Sequence, residues 1–235
     1  FSKVLGIAVS SYALWFLSNL KIAKIDTLGC WGVVLGCGLV IFFLFFKKAR
    51  ESLTGFRKGE ALPWILGGES LFLFSLSFWT YLRGFNAKIE GLEKFMDYGF
   101  VNSILRSGFV PPKDMWFAGE SINYYYFGQY VSAFITWLSG IKSEIAYTGM
   151  MATLFAFSMA LSFAIVSNLL KGRGLNNAQS ILGGLVGASL VSLGGNLHSF
   201  IYGTLSKFTN NGEAYWFPDA TRYSGYNPET KDKTI

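Results

Sequence analysis

Charge is scarce in this chain: Asp, Glu, Lys and Arg supply 14% of its 235 residues, against about a quarter in a soluble domain. That shortage excludes an ordinary water-solvated surface. Histidine is scarcer still, with His198 alone, and one imidazole is no metal site; a polar helix-end residue is the plainer account of it. Cysteine is limited to Cys30 and Cys37. Two helical turns separate them by roughly 10 Å, too far for a disulfide within a straight helix. What the chain has instead is apolar bulk: 51% hydrophobic residues, 23 Phe, 12 Tyr, 7 Trp and a mean hydropathy of +0.37. This is the balance of a bilayer protein, whose aromatics fill helix contacts and interfacial belts. The net charge of +6 would point to nucleic acid in a soluble protein. Here five cations between Lys47 and Lys58, facing Glu51 and Glu60, make a cytoplasmic loop under the positive-inside rule. Membrane lipids are the expected surroundings, and nucleic acid is not an expected partner.

About 20 apolar residues of helix cross a bilayer. Six stretches qualify: 4–20, softened by Ser10, Ser11 and Ser18; 27–46; 62–82, interrupted by Glu69; 122–138; 148–170; and 181–202. The expected fold is therefore all-α, a polytopic transmembrane helical bundle of about six membrane helices plus an amphipathic surface helix. It divides into 1–82 (three membrane helices), 83–121 (an extracytoplasmic loop), 122–204 (three more) and 205–235 (a polar loop). The chain opens on Phe1 and stops at Ile235 with no closing element, which reads as a piece of something longer. Gly32 and Gly36, and the Gly183, Gly187 and Gly194 stripe, suit close helix packing or a helix partner. With 47–60 in the cytoplasm, 83–121 falls outside, and so do Lys171 and Arg173, which the rule disfavours. Either one hairpin fails to span or two charges are too few to matter.

Five of the 14 acidic residues (Glu90, Glu93, Asp97, Asp114 and Glu120) crowd into the extracytoplasmic loop. Carboxylates gathered at one membrane face point to function. Residues 92–107 have helical spacing, with Leu92, Phe95, Met96, Phe100 and Ile104 on one side and Glu93 and Asp97 on the other. This reads as a short helix lying on the membrane, apolar face down, ended by Pro111-Pro112. Glu93 and Asp97 suit a general base or a divalent-metal ligand. On spacing alone, a solvated helix face with a Glu90–Lys94 ion pair is the commoner arrangement. Asp114 either closes the same pocket or is a turn residue. One or two of Arg83, Lys88, Lys94, Arg106 and Lys113 could hold a phosphate headgroup, and juxtamembrane anchoring is the plainer role. Trp116 would sit at headgroup depth. Asn123, Tyr124, Tyr125, Tyr126 and Gln129 offer more hydrogen bonding than an aromatic belt needs, which suits sugars and phosphates. Glu69, inside a span, is a functional carboxylate or a paired structural one.

The runs Glu93-Lys94-Phe95-Met96-Asp97, Asn102-Ser103-Ile104-Leu105-Arg106-Ser107, Pro111-Pro112-Lys113-Asp114-Met115-Trp116 and Ile122-Asn123-Tyr124-Tyr125-Tyr126-Phe127-Gly128-Gln129 resemble the signature of the YYY membrane-protein family. The opening Phe1 to Gly6 and Gly195-Asn196-Leu197-His198 resemble other parts of it. That family is distantly similar to the GT-C integral-membrane glycosyltransferases. The resemblance implies sugar transfer from a polyprenyl-phosphate donor to an extracytoplasmic acceptor, at an essential acid in the first large outer loop beside a surface helix. By position that acid is Asp97, with Glu93 second, assisting or binding metal. Lys94 or Arg106 would steady the donor phosphate, and the Tyr124 to Tyr126 triplet with Gln129 would line the sugar. The expected location is the plasma membrane. Two readings of other classes stand beside it: a transporter or flippase of lipid-linked saccharides coupled through Glu69, and a membrane scaffold using the Gly183/Gly187/Gly194 face.

Overall fold

The computed structural model describes residues 2–48, 62–90 and 93–194, with two short segments of the tail. The chain separates into two units, Phe1–Ser192 and Leu193–Ile235. The described residues of the first form seven helices: α1 (Ser2–Asn19), α2 (Thr27–Leu44), α3 (Leu62–Gly84), α4 (Lys94–Arg106), α5 (Phe127–Ser139), α6 (Ser143–Gly172) and α7 (Asn177–Ser192). In the second unit β1 (Gly225–Tyr226) pairs antiparallel with β2 (Lys233–Thr234), inside the stretch read from sequence as loop. The cations Arg50, Arg57 and Lys58 and the single His198 lie outside the described residues.

Local chemistry sets the helix ends. The Asp26 carboxylate accepts the Gly29 N–H at 2.8 Å and opens α2, satisfying one of the free amides of its first turn. Asn176 and Gln179 cap α7 reciprocally, each side-chain oxygen accepting the other's backbone N–H, at 2.9 and 3.2 Å. Gly140, at φ 68, closes α5 by donating its N–H to Thr136 O at 2.9 Å, in a left-handed conformation that glycine adopts without strain.

Three of these helices are long and apolar enough to cross a bilayer: Thr27–Leu44, Trp64–Gly84 and Ser143–Gly172. Six spans were expected. α5 has 13 residues, about 20 Å of helix against a hydrocarbon layer of about 30 Å. It falls short because 122–126, counted as its first turn, is not helical. α7 has 16 residues, and the serines of α1 dilute its apolar content. The outward faces carry bare apolar side chains, with Leu28 82%, Phe43 73% and Leu190 70% exposed. Lipid, not water, is the solvent such faces fit.

Contacts fix which helix ends lie together. The Lys3 ammonium of α1 pairs with the Glu69 carboxylate of α3 and lies 4.2 Å from the Phe72 ring centroid. α3 runs antiparallel to α6: Leu71 packs by Met159 and Phe163, and Trp79 stacks on Phe155 at 4.5 Å. α1 and α2 form a hairpin whose turn meets the 107–110 loop, with Ile25 N–H on Gly108 O at 2.9 Å. α5 stays near that end, because Phe134 packs on Leu14 and Cys30 while Ser143, four residues past Ser139, already bonds Asn102 of α4. So α5 returns the chain to the end it started from. Lys171 and Arg173 consequently lie at the same end as Lys47 and Lys48, which removes the conflict seen in the sequence.

Gly183, Gly184 and Gly187 seat α7 on α6. A Cβ at the first two would strike Leu170 and Ser167, and one at Gly187 would come within 2.7 Å of Val166. The expected partner-binding stripe is thus filled from within, and Gly194 lies past the helix end. Gly36, by contrast, faces open space. Gly187→Leu is expected to destabilise the protein by about 1–3 kcal/mol through overpacking. Gly36→Leu should leave thermal unfolding in nanodiscs unchanged. Single cysteines at Lys48 and Lys171, with Cys30 and Cys37 changed to serine, should label from one side of sealed vesicles, and one at Glu120 from the other. Opposite labelling of Lys48 and Lys171 would refute the placement of α5.

Candidate functional site at the first turn of α4

The largest dry cluster gathers around α4. Val101 and Ile104 are fully buried with Ile25, Val110, Tyr130, Ala133 and, at 8% exposure, Tyr147. Beneath them the Tyr130 hydroxyl donates to Ser11 O at 2.9 Å. A second tie holds α4 to α6: Tyr98 Oη and Ser143 Oγ are 3.0 Å apart, and the Ser143 hydroxyl donates to Asn102 Oδ1 at 3.1 Å. The helix therefore packs on the protein through a face other than its Phe95 side. Phe95 is 62% exposed, and Phe100, Val101 and Ile104 form the buried face. Leu92 lies outside the described residues. Positions 97, 101 and 104 fall on one helical stripe, so Asp97 sits on the packed side, half-buried, rather than opposite it.

There Gln129 Nε2 donates to Asp97 Oδ1 at 2.7 Å, joining α5 to α4. Gln129 Oε1 is buried with no partner. The two side chains line a hollow of about 370 Å³ with Tyr147, Met150 and Met151 of α6. Val131, Met150 and Leu154 continue from it into an apolar trough of about 530 Å³ between α1, α5 and α6. At the end of α3, Nε and Nη2 of Arg83 are also buried without a hydrogen-bond partner among the described residues. Glu93, exposed at the start of α4, and Asp97 both act on Tyr125. That phenol is pushed up to about 12, first by the Tyr124 hydroxyl beside it, then by desolvation and the two carboxylates.

The remaining expected residues fall elsewhere. Asp114, Trp116, Asn123 and Tyr124 line a second hollow of about 470 Å³ beside Phe100. The Asp114 carboxylate is taken up by its own loop, accepting the Trp116 and Phe117 amides at 2.7 and 2.9 Å. Arg106 lines a third hollow, of about 820 Å³. Nine helical positions from Asp97 carry it about 14 Å along the axis and half a turn round, to the opposite face. Lys94 is half-buried on the first turn of α4, and Tyr126 packs against the Val101 cluster. Glu90 lies 3.9 Å from Lys88, in place of the expected pair with Lys94. Among the described residues no group of three or more His, Cys, Asp or Glu side chains could hold a metal ion, so no step is assigned to one.

Residues 9–235 match the family described as Uncharacterized membrane protein (DUF2298). The chain belongs to that family. No curated protein and no solved structure matches it. As a DUF2298 member it is an integral membrane protein, and its apolar helix faces agree. Two residues at this end of the DUF2298 helices had no place in the sequence motif. Tyr147 lies fifty positions beyond Asp97 on a helix that reads as plain span, and Arg83 was one loop cation among five. Burial of unpaired Arg83 donors is the signal that singles it out.

The Tyr125 shift yields a test. A phenol whose pKa is raised on folding contributes stability below its ordinary value near 10.0, and loses it as pH climbs through about 12. Tyr124→Phe removes the largest cause, so the tyrosinate absorbance assigned to Tyr125 by a Tyr125→Phe difference should appear at lower pH. An unchanged titration would refute the pairing.

Proposed function

We propose that this chain is a GT-C-like membrane glycosyltransferase that moves a sugar from a polyprenyl-phosphate donor to an acceptor outside the cytoplasm. One observation carries the reading: a half-buried carboxylate, paired to a glutamine, stands at the head of an apolar trough. A ligand with an isoprenoid chain and a polar head has that same division. Its chain would lie along Val131, Met150 and Leu154, and its head would meet Asp97.

Asp97 takes the proton of the acceptor hydroxyl as that oxygen attacks the anomeric carbon. The bond from that carbon to the phosphate oxygen breaks, and the phosphate leaves with the electron pair. Arg83, whose Nε and Nη2 have no hydrogen-bond partner among the described residues, meets the charge that develops there. Gln129 Oε1, the unfilled acceptor, takes a hydrogen bond from a sugar hydroxyl. Glu93 assists from the exposed end of α4. Asn123, Tyr124, Trp116 and Asp114, around the neighbouring hollow, offer the aromatic and polar wall that an acceptor saccharide stacks on. The acidic end faces away from the cytoplasm in this proposal, since Lys47, Lys48, Lys171 and Arg173 share the other end.

The transporter reading through Glu69 draws less support, because Lys3 already neutralises that carboxylate. With the full protein in vesicles and labelled polyprenyl-phosphate sugars, Asp97→Asn should lower transfer by about 10²–10⁴-fold, the contribution of a positioned general base. Glu69→Gln should leave it within a few-fold. Equal rates for Asp97→Asn and wild type would sink the assignment.

A further inference from the structure

Across α4 from Asp97, the hollow of about 820 Å³ lies between that helix, the α1–α2 turn and the loop after α4. Lys21, Arg106 and Lys113 line it. The ion pairs among the described residues are Lys3–Glu69 and Lys88–Glu90, so none of these three cations has a described carboxylate within 4 Å. The acid on the wall, Asp114, is engaged by two backbone amides. Three cations around one concavity repel one another, and focus a field that an anion would relieve.

The walls are fixed by bonds of their own. Ser103 donates its hydroxyl to Lys113 O, and the Lys113 N–H donates to Ser107 Oγ at 3.3 Å. The loop doubles back on itself, with Ile122 N–H on Pro112 O and Asp114 N–H on Glu120 O, both at 2.9 Å. Met115 lies so close over Gly99 that a Cβ there would strike its sulfur. Lys21, at φ 61, donates to Val110 O at 2.8 Å and lies 5.2 Å from the Phe109 ring centroid. Its ammonium is thereby positioned with hydrogens to spare.

We propose that this hollow is a second binding site, separate from Asp97, for a phosphate ester or pyrophosphate group held by Lys21, Arg106 and Lys113. A guanidinium fork and two ammonium groups supply more donors than the two oxygens of a carboxylate use, and they match a phosphate's three. The site does not depend on the transfer reaction proposed for Asp97.

The full protein in phosphatidylcholine nanodiscs is titrated calorimetrically with pyrophosphate. In parallel it is reconstituted with phosphatidic acid, and the retained lipid is counted by native mass spectrometry. Wild type is expected to bind at least one probe. Pyrophosphate alone marks a soluble phosphorylated ligand, phosphatidic acid alone a lipid headgroup, and both mark the shared chemistry. Arg106→Gln combined with Lys113→Gln should weaken binding about tenfold or more, the factor one lost charge-assisted hydrogen bond carries. Arg106→Lys with Lys113→Arg should keep most of it, and Asp97→Asn all of it. Should the doubly neutral variant not fold, Lys113→Gln alone, at an exposed side chain, is expected to cost several-fold. The proposal is overturned when wild type binds neither probe, when neutralised variants bind as wild type does, or when Asp97→Asn weakens binding equally. Loss of sugar transfer in Asp97→Asn is read separately, so the two proposals fail independently.

Discussion

The docking of α4 between α5 and α6 is the constraint from which the rest of the site follows. In a bilayer, apolar side chains gain little by leaving lipid for protein, so α2 and α3 leave most of theirs outward. The dry cluster of Val101, Ile104, Tyr130 and Tyr147 is different. It forms where loops meet helix ends, and there burial removes surface from water and does stabilise. Packing at that cluster also forces polar choices: the Tyr130 hydroxyl must find Ser11 O, and Tyr98 must find Ser143. Each of these bonds is worth about 1 kcal/mol net, but leaving one of its buried groups unmet costs more. A helix held this way cannot slide or roll. That is why the Asp97 carboxylate meets Gln129.

Short α5 is the second consequence. A chain that has to bring Gln129 to Asp97 and Ser143 to Asn102 has 13 helical residues with which to do it. It cannot cross the bilayer and return. α6 then begins at the acidic end, and the cations Lys171 and Arg173 arrive at the end that already holds Lys47 and Lys48. Sequence hydropathy counted 122–138 as a span because the apolar content is there. The coil from 122 to 126 takes away the length.

Membrane class, helical fold and the helix over Lys94–Arg106 were all legible from residue order, since each rests on local periodicity or composition. So was the turn role open to Asp114, because an aspartate beside a Pro-Pro pair commonly accepts nearby backbone amides. The separation of Arg106 from Asp97 was legible too: nine positions on a helix place two side chains on opposite faces. Grouping them as one phosphate-and-base site overlooked that rotation. Tyr147 and Arg83 were out of reach for another reason. Only the antiparallel packing of α3 on α6 brings position 83 to the level of 147, and no local spacing encodes which helices pack. The filling of the Gly183/Gly187 stripe by Val166 and Leu170 is of the same kind.

Asp97 is held differently from the other carboxylates of the described helices and loops. Glu69 sits with a cation, Lys3, and Asp26 and Asp114 accept backbone amides. Asp97 instead has the neutral side-chain amide of Gln129 as its partner. That arrangement is stable only while the surrounding packing enforces it, and the Val101–Tyr130–Tyr147 cluster supplies the enforcement. The hollow that Asp97 and Gln129 line opens into an apolar trough along Val131, Met150 and Leu154.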